Sequence, residues 1–252
     1  MRPLRIGAYG GTFDPIHRGH IDVASAVVDR FEIDDLLVIP AASPPHKDPR
    51  GLSGSHHRFA MAAIATLPLP GMHASTAEID NPANPYTFET IIRLRASYGP
   101  EAGLYFIVGS DSFEEMHTWR RPDLILSNCN LIVAARPGYG MSNPLFASLL
   151  RTGSERARST GEGDWAVSPE AFDESRIIDL TGQSGKRQAF PGRDRTAGMI
   201  YLTDYVSADM SSTEIRRRAA SGLDVREMVA EGVADYICKY RLYNAGRPAE
   251  IL

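Results

Sequence analysis

The sequence predicts an α/β fold, a Rossmann-like doubly wound parallel sheet with helices on both faces and a helical subregion near the C-terminal end. Three observations predict it. Short apolar runs alternate with segments whose apolar residues recur at helical spacing. A helix separates successive strands, which favours parallel pairing through right-handed crossovers. Hydrophobic residues make up 43% of the chain, enough for a substantial core.

The first strand–helix–strand unit opens the chain. LRIGAY (4–9) is a short apolar strand, and residues 20–31 place their apolar side chains on one helical face. DLLVIPA (35–41) is a continuous apolar run of strand length. This order of elements predicts two parallel neighbours in one sheet.

The later elements follow the same alternation, which is typical of a sheet covered on both faces. We expect strands at 72–79, 103–109, 129–136 and 199–204, and helices at 56–67, 86–97, 211–222 and 226–243.

The segment from 140 to 198 breaks this alternation. It is rich in Gly, Ser, Thr and charged residues and has too few apolar residues to close a core of its own. We therefore predict a single domain over residues 1–252 with a surface insertion at about 140–198, in which IIDL (177–180) is a candidate strand. A helical part at about 207–245 completes the domain.

The composition excludes several classes of protein. A net charge of −4 argues against a general attraction to nucleic acid or to an anionic membrane, so an anion site must be a local cluster. No apolar run approaches the ~20 residues of a membrane span, and the first residues do not resemble an export signal. Cys129 and Cys238 lie in apolar contexts and are predicted to be buried thiols. These features are typical of a cytoplasmic enzyme.

The stretch GGTFDPIHRGHIDVA (10–24) carries the main chemical signal. Gly10 and Gly11 follow a strand and precede a helix, where a ligand could approach the backbone and the helix dipole favours an anion. His17 and His20 are spaced to share a face and to converge on one phosphate. Helix capping and a zinc site are the alternatives, although no third metal ligand lies nearby at the usual spacing.

This stretch resembles the HxGH signature of the nucleotidylyltransferase superfamily, and GGTFDP resembles bacterial nicotinate-nucleotide adenylyltransferases in particular. Phosphopantetheine adenylyltransferases are similar too, but they carry Thr at the position of His17 and are shorter. The resemblance implies that ATP and nicotinate mononucleotide give deamido-NAD and pyrophosphate by direct in-line transfer, with Mg²⁺ carried by ATP. A homo-oligomer is also compatible with it.

Two further stretches extend the resemblance toward the mononucleotide. PAASPPHK (40–47) follows a strand, and His46 and Lys47 would meet a phosphate. NPYTFET precedes a helix with Thr87 as its predicted N-cap, and a carboxylate at a helix N-terminus is favoured. The resemblance implies that this helix start meets the pyridine.

FIVGSDSFEEMHTW (106–119) resembles the strand-Gly-x-Asp segment of the family. Gly109 would allow adenosine to approach, and Asp111 would bond a ribose hydroxyl or cap the next helix. Trp119 offers a flat face on which a pyridinium ring can stack, and Arg120 follows it.

MSSTEIRRR (210–218) resembles the second superfamily signature, with Met210 in place of the usual Ile. Its hydroxyl residues start a helix, and Arg216 lies on the same face with fork geometry suited to phosphates. Arg217 and Arg218 are expected to be solvated.

The resemblance thus assigns three groups of residues. The catalytic residues would be His17, His20 and Arg216. The ATP-binding residues would be Gly10, Gly11, Thr12, Phe13, His20, Gly109, Asp111, Ser211, Ser212, Thr213 and Arg216. The substrate-binding residues would be His46, Lys47, Thr87, Trp119 and Arg120. Two alternatives remain. One is another nucleotidylyltransferase with a phosphopantetheine or alcohol-phosphate acceptor, and the other is a nucleotide-sensing module without turnover.

Overall fold

The computed structural model describes residues 2–44, 51–82, 86–135, 174–182, 197–205 and 210–243. Their strands are β1 (Arg5–Gly11), β2 (Asp35–Pro40), β3 (Met72–Ala74), β4 (Gly103–Gly109), β5 (Asn130–Ala134), β6 (Ile177–Asp179) and β7 (Ile200–Thr203). Their α-helices are α1 (Arg18–Phe31), α2 (Ser55–Thr66), α3 (Thr87–Tyr98), α4 (Ser110–Glu114), α5 (Pro122–Asn128), α6 (Ser212–Ala220) and α7 (Glu231–Lys239). Short 3₁₀ turns lie at Glu115–Thr118 and Glu174–Arg176.

The strands form one sheet in the order β3-β2-β1-β4-β5-β7-β6, and every neighbouring pair is parallel. The predicted doubly wound α/β fold is therefore confirmed. β1 lies beside β4 while its sequence successor β2 lies on its other side, so the winding reverses between β1 and β4. Among the described helices, none is long and apolar enough to cross a bilayer.

The core consists of two layers, one on each face of the sheet. Along β4 the side chains of Leu104, Phe106 and Val108 enter one layer, and those of Tyr105 and Ile107 enter the other. This follows from the two-residue period of a strand, which sends successive side chains to opposite faces. Because both faces are covered, the central strands read as continuous apolar runs rather than as alternating ones.

Several element bounds differ from the prediction. β3 ends at Ala74, because the chain then turns and the amide of Asp80 bonds to the carbonyl of Thr76 at 2.9 Å. Of the expected helix at 226–243, only α7 is helical. The short helices α4 and α5 were not predicted, because they lack a long periodic pattern.

The two cysteines differ from each other. Cys129 is fully buried, as predicted, and its thiol donates to the carbonyl of Ile125 at 3.2 Å. Cys238 is exposed on α7, so the prediction of a buried thiol is wrong for it. An amphipathic helix carries both kinds of position, and the apolar context alone did not distinguish them.

The candidate strand IIDL is confirmed as β6, an edge strand paired with β7. Apart from residues 174–182 and 197–198, the segment at 140–198 lies outside the described residues. The insertion and the single-domain organisation stay predictions.

Candidate active site

The reversal of winding between β1 and β4 places two glycine-containing strand ends side by side. Ligands of open α/β sheets bind outside the carboxyl ends of the strands at this point. β1 ends in Gly10 and Gly11, and β4 ends in Gly109. A Cβ added at Gly109 would have no heavy atom within 4 Å, so the end of β4 is open.

Gly10 and Gly11 make room for aromatic rings of the protein itself and do not border open space. A Cβ at Gly11 would lie 2.7 Å from Cζ of Phe13, and one at Gly10 would lie 2.9 Å from Cζ of Phe106. Phe13 is 2% exposed and has a φ of 51°, a left-handed conformation that is uncommon for a large residue. The prediction that these glycines give room to a ligand is therefore not what their packing shows.

His17 and His20 meet at the start of α1, as their spacing predicts. Their rings stack with centroids 3.6 Å apart and planes 24° apart. The backbone N–H of His17 donates to Nδ1 of His20 at 3.2 Å. An accepting Nδ1 carries no proton, so a proton on the His20 ring lies on Nε2, which can then donate to a ligand. The edge of the Phe13 ring also packs on His20, at 5.1 Å between centroids.

His17 is the N-cap residue of α1 and is 7% exposed, whereas His20 is half-buried. The ring of His17 faces the amide of His20 as in a capping box, but no hydrogen bond forms between them. Nδ1 of His17 has no partner among the described residues. Burial lowers the pKa of His17 from 6.5 to about 4. His17 is therefore neutral at pH 7, so it would meet a phosphate as an uncharged ring rather than as a cation.

The buried, neutral state of His17 predicts a pH dependence of stability. A histidine whose pKa is lowered on folding contributes stability above its unfolded pKa of 6.5 and loses that contribution as the pH falls through about 4. Replacing His17 by Asn should flatten this acid decline by about 2–4 kcal/mol in the free energy of unfolding. Urea unfolding at several pH values measures the change. His73→Asn, at an exposed position, is the control, and equal slopes in wild type and His17→Asn would contradict the prediction.

The start of α6 docks onto the turn that links β1 to α1. Ser212 Oγ donates to the carbonyl of Pro15 at 3.0 Å, and Arg216 Nη1 donates to the carbonyl of Asp14 at 2.8 Å. Arg216 Nη2 also donates to Thr213 Oγ1 at 3.1 Å. The two predicted signatures are therefore adjacent in space, although 197 positions separate Ser212 from Pro15.

All three predicted phosphate-binding hydroxyls have partners within the protein. Ser211 Oγ accepts from the backbone N–H of Glu214 at 3.1 Å and so caps α6, while Ser212 holds the turn. Thr213 is exposed at the same helix end. The backbone N–H groups of Ser212 and Thr213 precede the first intrahelical hydrogen bond and can meet an anion there, whereas that of Glu214 is taken by Ser211.

Asp14, which the sequence analysis quoted but did not assign, is buried beneath this turn at 1% exposure. Its Oδ1 accepts from the hydroxyl of Tyr243 at 2.7 Å, and its Oδ2 accepts from the amide of Ser53 at 3.1 Å. The turn after β1 is thus held from below by a carboxylate and from the side by Arg216. No spacing pattern indicates contacts between such distant positions.

Arg58 is the second buried group that the sequence analysis missed, since it falls within a predicted amphipathic helix. It is 2% exposed, and its fork donates to the carbonyls of Thr12, Ala42 and Ser53 at 2.8, 3.3 and 3.1 Å. Thr12, predicted to bind ATP, is therefore fixed by its carbonyl.

The predicted pyridine-binding residues also lie together. The guanidinium of Arg120 lies over the ring of Tyr86 at 4.2 Å, which joins the segment after the 3₁₀ turn to the start of α3. Trp119 is half-buried against the adjoining core layer. Tyr86 is the N-cap of α3 and Thr87 the first helical residue, so the predicted N-cap is one residue off.

Two further groups of predicted residues follow the ends of β4 and β2. Asp111 is exposed within the first turn of α4, and Gly109 is the N-cap, because the helix starts directly at the strand end. The capping role expected of Asp111 is therefore wrong, while its ribose contact stays a prediction. His46 and Lys47 lie outside the described residues.

The arrangement is suited to holding a polyphosphate. An imidazole N–H donor, a guanidinium fork and a helix N-terminus meet at one turn, and all three favour anionic oxygens. The described residues contain no group of three His, Cys, Asp or Glu side chains placed to hold a metal ion.

Comparison with known proteins identifies relatives of this chain. A model of the family described as cytidylyltransferase-like matches residues 8–218. A protein named "probable nicotinate-nucleotide adenylyltransferase" from Thermoanaerobacter sp. (strain X514) is 35% identical over 245 residues, which are 96% of each chain. The corresponding protein from Pelobacter propionicus is 36% identical over 241 residues, 96% of this chain and 99% of that one.

A solved structure is similar in fold. The nicotinic acid mononucleotide adenylyltransferase of Plasmodium falciparum, in complex with APC, superimposes with a TM-score of 0.60. The match covers 95% of this chain and 97% of the other at 18% identity, a level that supports the fold alone.

Proposed function

Because this chain belongs to the cytidylyltransferase-like family, and within it to the nicotinate-nucleotide adenylyltransferases, we propose that it joins ATP and nicotinate mononucleotide to give deamido-NAD and pyrophosphate. The observation that carries the proposal is the docking of α6 on the turn after β1. It brings Arg216 and the start of α6 onto the turn that directly precedes the histidine pair, which supports adenylyl transfer at this turn.

The reaction needs no covalent enzyme intermediate. A phosphate oxygen of the mononucleotide attacks the α-phosphorus of ATP, the new P–O bond forms, and the bond from the α-phosphorus to the bridging oxygen breaks. The bond electrons leave with pyrophosphate. The attacking phosphate is already ionised at neutral pH, so the protein's main tasks are to align two polyanions and to stabilise developing charge.

The described residues divide these tasks. Nε2 of His20 donates to an α-phosphate oxygen, and the buried ring of His17 holds the His20 ring from behind by stacking. Arg216, Thr213 and the first amides of α6 hold the leaving β,γ-phosphates. The open strand end at Gly109 receives adenosine, with Asp111 beside it for a ribose hydroxyl.

The pyridine would bind between Trp119 and the start of α3. The indole offers a stacking face for a pyridinium cation. The amides at Thr87 and the guanidinium of Arg120 favour a carboxylate, which supports nicotinate over nicotinamide. His46 and Lys47 would meet the mononucleotide phosphate.

Mg²⁺ would arrive bound to ATP, held by phosphate oxygens and water, which is its usual mode with nucleotides. The buried carboxylate of Asp14 does not fit a metal ligand, because both its oxygens accept hydrogen bonds from the protein. A cytoplasmic location belongs to this proposal.

The test is pyrophosphate release from ATP with a panel of acceptors. We expect the highest kcat/KM with nicotinate mononucleotide, a lower value with nicotinamide mononucleotide and none with phosphopantetheine. Faster turnover of phosphopantetheine would reassign the acceptor. ATP binding without pyrophosphate release would identify a nucleotide-sensing module instead.

A further inference from the structure

Glu78 is a buried carboxylate that the mechanism above does not use. It is 7% exposed and lies in the turn after β3, where the sequence predicted the end of a strand. A buried carboxylate carries a large desolvation cost unless its partners offset it. Its surroundings therefore indicate what it does.

The partners of Glu78 come from three separate segments. Its Oε2 accepts from the amide of Ala42, after β2, at 3.3 Å. The hydroxyl of Thr90 on α3 donates to it, and the positive charges of Arg93 on α3 and Arg58 on α2 face it. Arg93 is itself anchored, since its Nη2 donates to Thr90 Oγ1 at 3.0 Å.

Glu78 and Arg58 hold the two polar groups of one residue. The amide of Ala42 donates to Glu78, and the carbonyl of Ala42 accepts from Arg58 at 3.3 Å. The same guanidinium donates to the carbonyl of Thr12 at 2.8 Å. Ala42 and Thr12 follow the carboxyl ends of β2 and β1, the two neighbouring strands at which the predicted phosphate sites begin.

We propose that Glu78 and Arg58 form a buried clamp that positions the backbone after β1 and β2 for adenylyl transfer. Both are positioning residues, because they act on substrate through Thr12 and Ala42. The role of the clamp in catalysis rests on the proposed function, whereas the contacts that form the clamp do not depend on which reaction the protein catalyses.

The negative charge of Glu78 lowers the free energy of unfolding, which argues that the residue serves positioning rather than stability. Burial raises its pKa to about 7, against the opposing effects of the Ala42 amide, Arg93, Arg58 and Thr90. A carboxyl whose pKa is raised on folding contributes stability below its unfolded pKa of 4.5 and loses that contribution as the pH rises through about 7. At pH 8 the ionised carboxylate therefore destabilises the folded state.

The decisive variant is Glu78→Gln, measured at pH 8. We expect kcat/KM for nicotinate mononucleotide to fall about tenfold, because a misplaced backbone impairs alignment. The melting temperature should stay equal to that of the wild type or rise. Asp80→Asn, the same change at an exposed carboxylate in the same turn, should alter neither quantity. Unchanged kcat/KM in Glu78→Gln, or a melting temperature that falls together with activity, would overturn the proposal.

The pH profile gives a second readout. In the wild type, kcat/KM should decline as the pH falls below about 7, because protonation of Glu78 weakens the hydrogen bond that it accepts from Ala42 and removes its electrostatic attraction to Arg58 and Arg93. This decline should be smaller in Glu78→Gln. An identical decline in both proteins would contradict the role of the carboxylate.

Two further measurements separate the clamp from the reaction. Amide exchange of Ala42, followed by NMR, should be faster in Glu78→Gln whether or not the protein turns over nicotinate mononucleotide. Unchanged exchange rejects the clamp, and absent wild-type turnover rejects only the proposed function.

Arg58→Lys removes the guanidinium fork of Arg58. The double variant with Glu78→Gln should lose no more activity than the worse of the two single variants. Multiplicative losses would show that the two residues act separately.

Discussion

His20→Ala is expected to lower kcat by about 10²–10³-fold, the usual cost of removing one donor that stabilises transition-state charge. The hydrogen bond from the His17 amide to Nδ1 and the edge of the Phe13 ring fix the orientation of the His20 ring, so Nε2 is preorganised. The KM for ATP should change little, because the bond strengthens in the transition state. Steady-state pyrophosphate release measures both constants.

Two companion variants sharpen this prediction. His20→Gln places an amide N–H near the position of Nε2 and should recover part of the lost rate. His73→Ala removes an exposed histidine that pairs with Asp35, and should leave kcat unchanged. Because His20 is half-buried, the alanine variant should keep a cooperative melting transition. Near wild-type kcat in a folded His20→Ala protein would refute the role of His20.

Arg216→Ala is expected to lower kcat/KM by about 10²-fold, since it removes a charge-assisted donor aimed at the leaving phosphates. A guanidinium has five N–H groups, and the contacts to Asp14 and Thr213 use two of them. The loss has two parts, because the variant also frees the turn after β1 from α6. Arg216→Lys keeps the charge but not the fork, and should show an intermediate loss.

The neighbouring Arg217 provides a matched control on the same helix. It is exposed and pairs with Glu214, with Nη2 lying 2.6 Å from Oε1. Arg217→Ala should keep full activity, because surface ion pairs contribute little. Equal losses in Arg216→Ala and Arg217→Ala would mean that general positive charge, rather than the geometry of Arg216, supports turnover.

The fold was predictable because its signals are local. Each central strand reads as an apolar run, and the crossover between parallel strands has a preferred hand, so alternation alone predicts the sheet. The histidine pair was predictable for a related reason, since a spacing of three residues fixes two side chains on one helical turn. The predicted end of a strand was wrong where the chain turns earlier than its apolar pattern indicates, as after Ala74.

The supports of the site were not predictable, because they depend on burial and on distant partners. Asp14 and Arg58 read as polar residues of a turn and a helix, and only the folded structure shows them buried beneath the site. Glu78 looked like part of a strand. The neutral state of His17 depends on its environment, and no sequence pattern gives a degree of exposure.

The hydrogen bond between Tyr243 and Asp14 spans 229 positions and has a consequence for synthesis on the ribosome. The loop after the first strand emerges early, yet its buried carboxylate receives this partner only after residue 243 has left the exit tunnel. A nascent chain can therefore form its first strand–helix–strand unit long before its nucleotide site is complete. Premature termination before Tyr243 should thus yield products with much of the sheet and a loosened site.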